Sequence, residues 1–424
     1  MKKRDDGYVL DTSYPMFYYK EMEPIWLSCI TNFLGFKAPD ITKEFSYLEL
    51  ACGTGINLLV SAISNPNGSF IGIDFNEKHI QIAQDAVKVM GITNLEFIHC
   101  DFATFLKNND KKFDFIVNHG TYSWISPVHQ KSILDIVSKF LNNLGIFYLH
   151  YMCHPGSTPL LPIQKLLNIV DYHTDEKSNK SIEMGISLFK DLDEAGTFID
   201  YARIEAIKNS LHKDSSYLAH EFLTDFWNPL YSIDVHKMVF DVTKTGYLGS
   251  SNTFENIDNL SIPSKIQPVL QKVKSPILKE YIKDLARNQK QREDIFQKDS
   301  IPFIGEDHIN CLNKIRFKRM SDCPKSGAVV FKTPIGDINA PKEIISPVLE
   351  ALAKKDCTFE ELLNIEHFKN QPRLLYETIL MLMYMEYIYP SSLNFEIINY
   401  DITKRFNKWI KENRIKIKPI WDKY

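Results

Sequence analysis

The chain has 424 residues, enough for two or three domains with cores of their own, and its 12% aromatic content marks folded domains rather than a disordered chain. A net charge of −3 sets up no global field that would draw in nucleic acid or an anionic membrane. The seven cysteines are odd in number and never stand at C-x-x-C spacing, which argues against a disulfide framework or a zinc knuckle and for reduced cytoplasmic thiols.

Taken in order, the basic start Met1-Lys2-Lys3-Arg4 is followed by no apolar run, so no secretory signal is expected. Tyr8, Tyr14, Tyr18 and Tyr19 crowd the segment before the first helix. The apolar stripe Ile25, Trp26, Cys29, Ile30, Phe33, Leu34 predicts that helix over Glu21–Phe36. Phe45-Ser-Tyr-Leu-Glu-Leu50 reads as a strand, Ala51 to Gly55 as a small-residue turn, and Ile56 to Ile63 as a helix. Strand, Gly-rich turn and helix make the phosphate- or nucleoside-binding corner of an open α/β sheet. A dinucleotide site needs a third glycine, where this chain has Leu58. An acid instead precedes Gly53, at Glu49, where it complements positive charge.

The spacing E-x-x-x-G-x-G resembles class I S-adenosylmethionine (SAM) methyltransferases. The next strands agree with that. Phe70-Ile-Gly-Ile-Asp74 ends in an acid about 20 residues after the turn, where a ribose-binding carboxylate belongs; Asp74 otherwise caps the helix Glu77–Met90. Leu95 to His99 is the third strand. The resemblance implies that Asp101 accepts from the adenine amine and Phe102 covers the ring, unless Asp101 only caps the helix Phe102–Lys107. The fourth strand, Lys112–Asn118, empties into His119-Gly-Thr-Tyr122-Ser-Trp124. The helix Val128–Phe140 and the strand Gly145–Tyr151 complete five strand–helix alternations, so a doubly wound, Rossmann-like sheet is expected.

The strings Tyr47-Leu-Glu-Leu-Ala-Cys-Gly53, Gly72-Ile-Asp74, Asn118-His-Gly-Thr-Tyr-Ser-Trp124 and His154-Pro-Gly156 together resemble bacterial methyltransferases that carry a methyltransferase regulatory domain. That group includes the lysine methyltransferases of outer-membrane proteins. Family members usually have glycine where this chain has Ala51. The resemblance implies SAM as cofactor, with S-adenosylhomocysteine as product. It implies Glu49, Ala51, Gly53, Gly55, Asn57, Asp74, Phe75, Asp101, Phe102, Asn118 and His119 as cofactor contacts. It also implies an N-terminal lid, and an acceptor wall of Asn118, His119, Tyr122 and Trp124 with Tyr14 from the lid. The implied acceptor is an outer-membrane protein precursor, and a homodimer through the helical region is implied too. Metal, nucleic acid and membrane insertion are not expected; the late apolar run Thr378–Met385 is too short to span a bilayer.

Beyond Pro155, Leu160–Val170 and Glu183–Lys208 read as amphipathic helices. His220-Glu-Phe-Leu223, Asn228-Pro-Leu-Tyr231 and Gly246-Tyr-Leu-Gly249 resemble the regulatory-domain signature. Leu270–Lys298 reads as a charged, solvated helical stretch interrupted at Pro276. A strand at Ala328–Thr333 and helices at Lys342–Lys354, Thr358–Ile365 and Leu374–Tyr387 suggest a small winged-helix-like module. The basic tail Lys404–Lys418 reads as a solvated face or a docking patch. The expected division is residues 1–155 for the SAM-binding domain with its lid, 156–325 for a mostly α-helical regulatory or dimerisation region, and 326–424 for the C-terminal module.

Overall fold

The computed structural model describes residues 4–12, 14–199, 201, 204–391, 400–415 and 417. A seven-stranded sheet lies at the centre. Its strands, in chain order, are β1 (Phe45–Leu50), β2 (Gly68–Asp74), β3 (Leu95–His99), β4 (Phe113–Asn118), β5 (Leu141–Met152), β6 (Thr245–Ser250) and β7 (Gln291–Lys298). Their spatial order is 3-2-1-4-5-7-6. β1 to β5 run parallel, and β7 runs antiparallel between β5 and β6.

The strands are apolar on both faces because both faces are covered. Side chains alternate, so Phe45, Tyr47, Phe70, Phe115 and Tyr148 enter one core while Leu48, Leu50, Ile71, Ile116 and Leu149 enter the other. The first core is closed by α1 (Pro24–Phe33), α2 (Ile56–Ser64) and α3 (Glu77–Met90). The second is closed by α4 (Phe102–Asn108), α5 (Pro127–Phe140) and, from later in the chain, a helix at Ser232–Thr243. The strand order reverses between β1 and β4, and a ligand crevice opens at such a switch point, beyond the carboxyl ends of the strands.

Two helical expectations are corrected. The stretch Leu270–Lys298 is not helical throughout: helices at Gln267–Lys272 and Pro276–Arg287 are followed by β7. Nor are all its charges solvated: Lys272, Lys274 and Lys290 are exposed, but others are not. Arg292 is fully buried and pairs with Glu280 at 2.8 Å, Asp284 at 2.5 Å and Asp294 at 2.9 Å. The pairing satisfies charges that would otherwise make a central strand untenable. The single helix expected over Glu183–Lys208 is two, α7 (Ser178–Glu194) and α8 (Ile204–Ser210), after α6 (Leu161–Tyr172). α9 (Ser215–Phe222) follows and packs on α7.

The C-terminal part has a three-stranded sheet of Arg316–Arg319, which precedes the expected boundary at 326, Cys357–Thr358 and Ile388–Ser391, a hairpin at Val329–Ala340, and helices at Lys342–Lys354, Phe359–Leu363 and Pro372–Tyr384. It shares the first core: Phe33 of α1 meets the rings of Phe317, Phe359 and Tyr376 at 5.1–6.2 Å. The basic helix Tyr400–Glu412 buries Thr403, Phe406 and Ile410, and its Lys408 pairs with Glu412 on the exposed face. Lys418 lies outside the described residues.

Candidate active site

The tips of β1 to β4 open on a cavity of about 710 Å³. β1 turns through Ala51-Cys-Gly-Thr-Gly55 into α2, with Ala51, Gly53 and Gly55 at φ of 59°, 55° and 75°. A positive φ strains alanine by roughly 1 kcal/mol, and glycine not at all. Gly53 lines the cavity, and a Cβ there would meet no atom within 4 Å. Gly55 does not line it. Its Cβ would stand 2.2 Å from the Phe97 ring, so this glycine seats α2 against β3.

Glu49 is buried on the cavity wall, and its Oε2 has no protein partner. Burial, and then the nearby Glu23 and Asp74, hold its carboxyl well above the usual range. A cation entering beside it would satisfy the oxygen and restore the charge. Asp74, at the β2 tip, accepts the Gly53 N–H at 2.9 Å and the Asn76 N–H at 2.8 Å. Carboxylate oxygens so fixed keep lone pairs for a diol.

Phe75 and Phe102 both line the cavity. Asp101 does too, but its Oδ1 accepts the Thr104 N–H at 2.7 Å and caps α4, so the capping role is realised. An unpaired buried carboxylate, a cavity at a left-handed turn, a fixed acid on the next strand and flanking aromatics fit an amino-acid-bearing sulfonium nucleoside.

The acceptor wall departs in part from the sequence reading. His119 and Trp124 line the cavity; Asn118 and Tyr122 do not. Asn118 is fully buried and donates from Nδ2 to the Leu50 carbonyl at 2.9 Å, while its Oδ1 has no protein partner. Tyr122 is fully buried in the second core with its hydroxyl 3.8 Å from Met238 Sδ. The short 3-10 turn Tyr122–Trp124 sends only its last ring to the cavity.

His119 is held on several sides. Its Nδ1 lies 2.8 Å from the Tyr148 hydroxyl, and its ring stacks on Tyr19 at 3.8 Å and His150 at 4.1 Å. Burial, and then His150, keep it well below the usual histidine range, so it is neutral. His150 accepts the Gly120 N–H at 3.0 Å and is held down at about 4 by burial, against an opposing interaction with Gln291. His154, by contrast, lies away from the cavity against Tyr231 at 4.6 Å.

Described residues before α1, where the sequence reading expects a lid, line one side of the cavity, Tyr14, Phe17 and Tyr19 among them. Asn57 lines the cavity as well, yet both ends of its amide hold this segment: the Tyr19 N–H donates to Oδ1 at 3.1 Å, and Nδ2 donates to the Tyr19 carbonyl at 2.7 Å. The roles of Asn57 and Tyr19 escaped the sequence reading because no local pattern links α2 to a strap ahead of α1. The tyrosine density there was the only signal.

Residues 41–203 match the family model described as a methyltransferase domain, and residues 214–298 match the one described as a predicted methyltransferase regulatory domain. This chain is a SAM-dependent methyltransferase with a regulatory domain. The methyltransferase is 28% identical over 394 residues to an uncharacterised protein of Synechocystis sp., covering 91% of this chain and 77% of that one. Its fold is similar to that of PKMT2 from Rickettsia typhi in complex with AdoHcy, with a TM-score of 0.69 at 21% identity over 90% of this chain and 77% of that one. Over 43% of its length it is 28% identical to a carboxy-S-adenosyl-L-methionine synthase of Nautilia profundicola, covering 68% of that protein.

Proposed function

We propose that this methyltransferase modifies lysine side chains of a bacterial outer-membrane protein precursor. The observation that carries this reading is the aromatic recess of Tyr14, Phe17, Tyr19 and Trp124, gathered with neutral His119 on the cavity wall. In that reading Glu49 receives the amino group of the cofactor, Asp74 the ribose hydroxyls, and Phe75, Asp101 and Phe102 the adenine. Bound SAM supplies a methyl group activated on sulfonium. The chain's own residues hold, orient and desolvate. Aromatic faces favour an amine that still carries charge on arrival, and a dry wall favours its neutral form once inside. His119, neutral and fixed through Tyr148, offers its ring to orient the incoming nitrogen. The fold likeness to PKMT2 supports the same reading.

A second reading, methylation of a small molecule, draws on the lid: Asn57 pins Tyr19 across the cavity and narrows the room for a protein chain. A third, a non-catalytic SAM sensor, predicts binding without turnover. Transfer of tritiated methyl from SAM to recombinant outer-membrane protein, followed by mapping of methyl-lysine, separates them. Label on lysine supports the first reading. Label only in the small-molecule fraction of a lysate supports the second, and SAM binding with no label anywhere supports the third.

A further inference from the structure

The helix Pro276–Arg287 faces the wrong way for a surface helix. An amphipathic helix on a protein surface ordinarily buries its apolar stripe and leaves its charges in water. Here the buried side chain of the helix is Asp284. Glu280 and Asp284 turn inward to Arg292, Lys283 pairs with Asp258 at 2.9 Å, and Arg287 donates to the Glu255 carbonyl at 2.6 Å and the Ser261 hydroxyl at 2.8 Å. The need of the buried Arg292 for carboxylates thus sets which face looks in. Ile277, Leu278 and Leu285 are left outside, 67%, 48% and 49% exposed. At about 100° per residue they share one face with Tyr281. That face continues onto Tyr231, itself exposed, whose ring stands 6.0 Å from the Tyr281 ring.

The surroundings of this face are basic. Seven cations and two acids stand between residues 265 and 290, and the two acids, Glu280 and Asp284, are the ones that Arg292 takes up. Lys265, Lys272, Lys274 and Lys290 are exposed. Lys272 and Lys274 lead into Ile277 and Leu278, and Lys290 follows the end that carries Leu285. The small negative charge of the whole chain is therefore not shared here. Charge and size decide what can cover the face. A second copy docked about a two-fold axis would set the lysines of one chain against the same lysines of the other, and like charges repel. A 12-residue helix is about 18 Å long, and one face of it falls well short of the ~800 Å² per partner that a stable protein interface buries. A bilayer surface needs neither that area nor that symmetry: apolar side chains enter the headgroup layer while lysines meet anionic lipid.

We propose that the regulatory region docks the enzyme on an anionic membrane surface through the helix Pro276–Arg287, with Ile277, Leu278 and Leu285 in the headgroup layer and Lys272, Lys274 and Lys290 against the lipid phosphates. The contact is peripheral. None of these residues lines the cofactor cavity, so the proposal holds whichever acceptor is methylated.

The test is co-sedimentation of the full chain with vesicles of phosphatidylcholine alone or of phosphatidylcholine mixed with phosphatidylglycerol, at low and at high salt. Wild type is expected to bind the mixed vesicles at least about tenfold more tightly at low salt and to leave them as salt rises. Two double variants separate the apolar from the basic part: Ile277→Ser with Leu278→Ser, and Lys272→Gln with Lys274→Gln. Each should weaken binding about tenfold. Both change exposed side chains, so the melting temperature and the affinity for S-adenosylhomocysteine should stay at wild-type values, which shows that the variants are folded. Wild type that ignores the mixed vesicles, or either variant that binds them as wild type does, overturns the proposal. So does a lipid-free chain that sediments as a dimer and falls to a monomer on Ile277→Ser with Leu278→Ser, since that result gives the face to a second copy.

Discussion

Asp74 carries the sharpest expectation at the scale of single residues. Its two oxygens hold the Gly53 and Asn76 amides and face the cavity. Asp74→Ala should weaken SAM binding by roughly 1–3 kcal/mol, the worth of lost hydrogen bonds to a charged group; calorimetry showing unchanged affinity would remove the ribose assignment. Trp124, bound through its indole to α9 rather than to the cofactor end, should behave differently. Trp124→Ala should leave SAM affinity alone and lower turnover, and the reverse pattern would move Trp124 to the cofactor side. Glu23 gives a pH-dependent expectation. It is fully buried, accepts from Ser61 at 2.9 Å, and is raised to about 8 by burial, with that bond opposing. The folded chain keeps this proton to about pH 8, whereas the unfolded chain loses it near pH 4.3. The stability this group contributes is therefore full below the unfolded value and lost as pH rises toward 8, at up to about 1.4 kcal/mol per pH unit. Glu23→Gln should raise the melting temperature more at pH 8 than at pH 5. Parallel curves for the two proteins would contradict the raised pKa.

Among the elements, α2 and the strap ahead of α1 act as a pair. Asn57→Ala removes both bonds to the Tyr19 backbone and should cost about 1–2 kcal/mol of their docking. Hydrogen exchange at the Tyr19 amide should speed up accordingly while the β1–β4 amides stay protected; an unchanged Tyr19 rate would mean that the strap is held by its rings alone. The elements that could be read from sequence are those whose order is local. β1 with its Gly turn, β2 ending in Asp74 and β4 ending at Asn118 are short apolar runs with their punctuation beside them, so fold class and the placing of Glu49, Asp74 and Asp101 on the cavity followed. β7 could not be read that way. Its Arg292 and Asp294 resemble a solvated face until Glu280 and Asp284, supplied by the preceding helix, close the pairs. Tyr122 misled for a related reason: it sits beside two cavity residues in sequence, but a single 3-10 turn points it into the opposite core. Asn57, expected as a cofactor contact, lines the cavity, yet its amide is taken up by a strap that no periodicity connects to it.

Over the whole molecule, the three parts expected from sequence meet closely. β6 and β7, from the regulatory region, complete the sheet that β1 to β5 begin. The C-terminal module reaches the same core through α1, where Phe33 packs on Phe317, Phe359 and Tyr376 and Trp26 on Tyr389. Phe33→Ala should destabilise the chain by about 3–5 kcal/mol. It should lower the transitions of the binding domain and the C-terminal module together; two separated transitions would show that the shared core does not couple them. Among the described residues no helix is long and apolar enough to cross a membrane. The claim on which the functional account turns is that the tips of β1 to β4 gather around one sulfonium nucleoside. A crystal structure with S-adenosylhomocysteine tests it most directly. The account predicts the ribose on Asp74, the amino group on Glu49, and the sulfur facing Tyr19, His119 and Trp124. A nucleoside seated elsewhere, or one whose sulfur turns away from those rings, would contradict it.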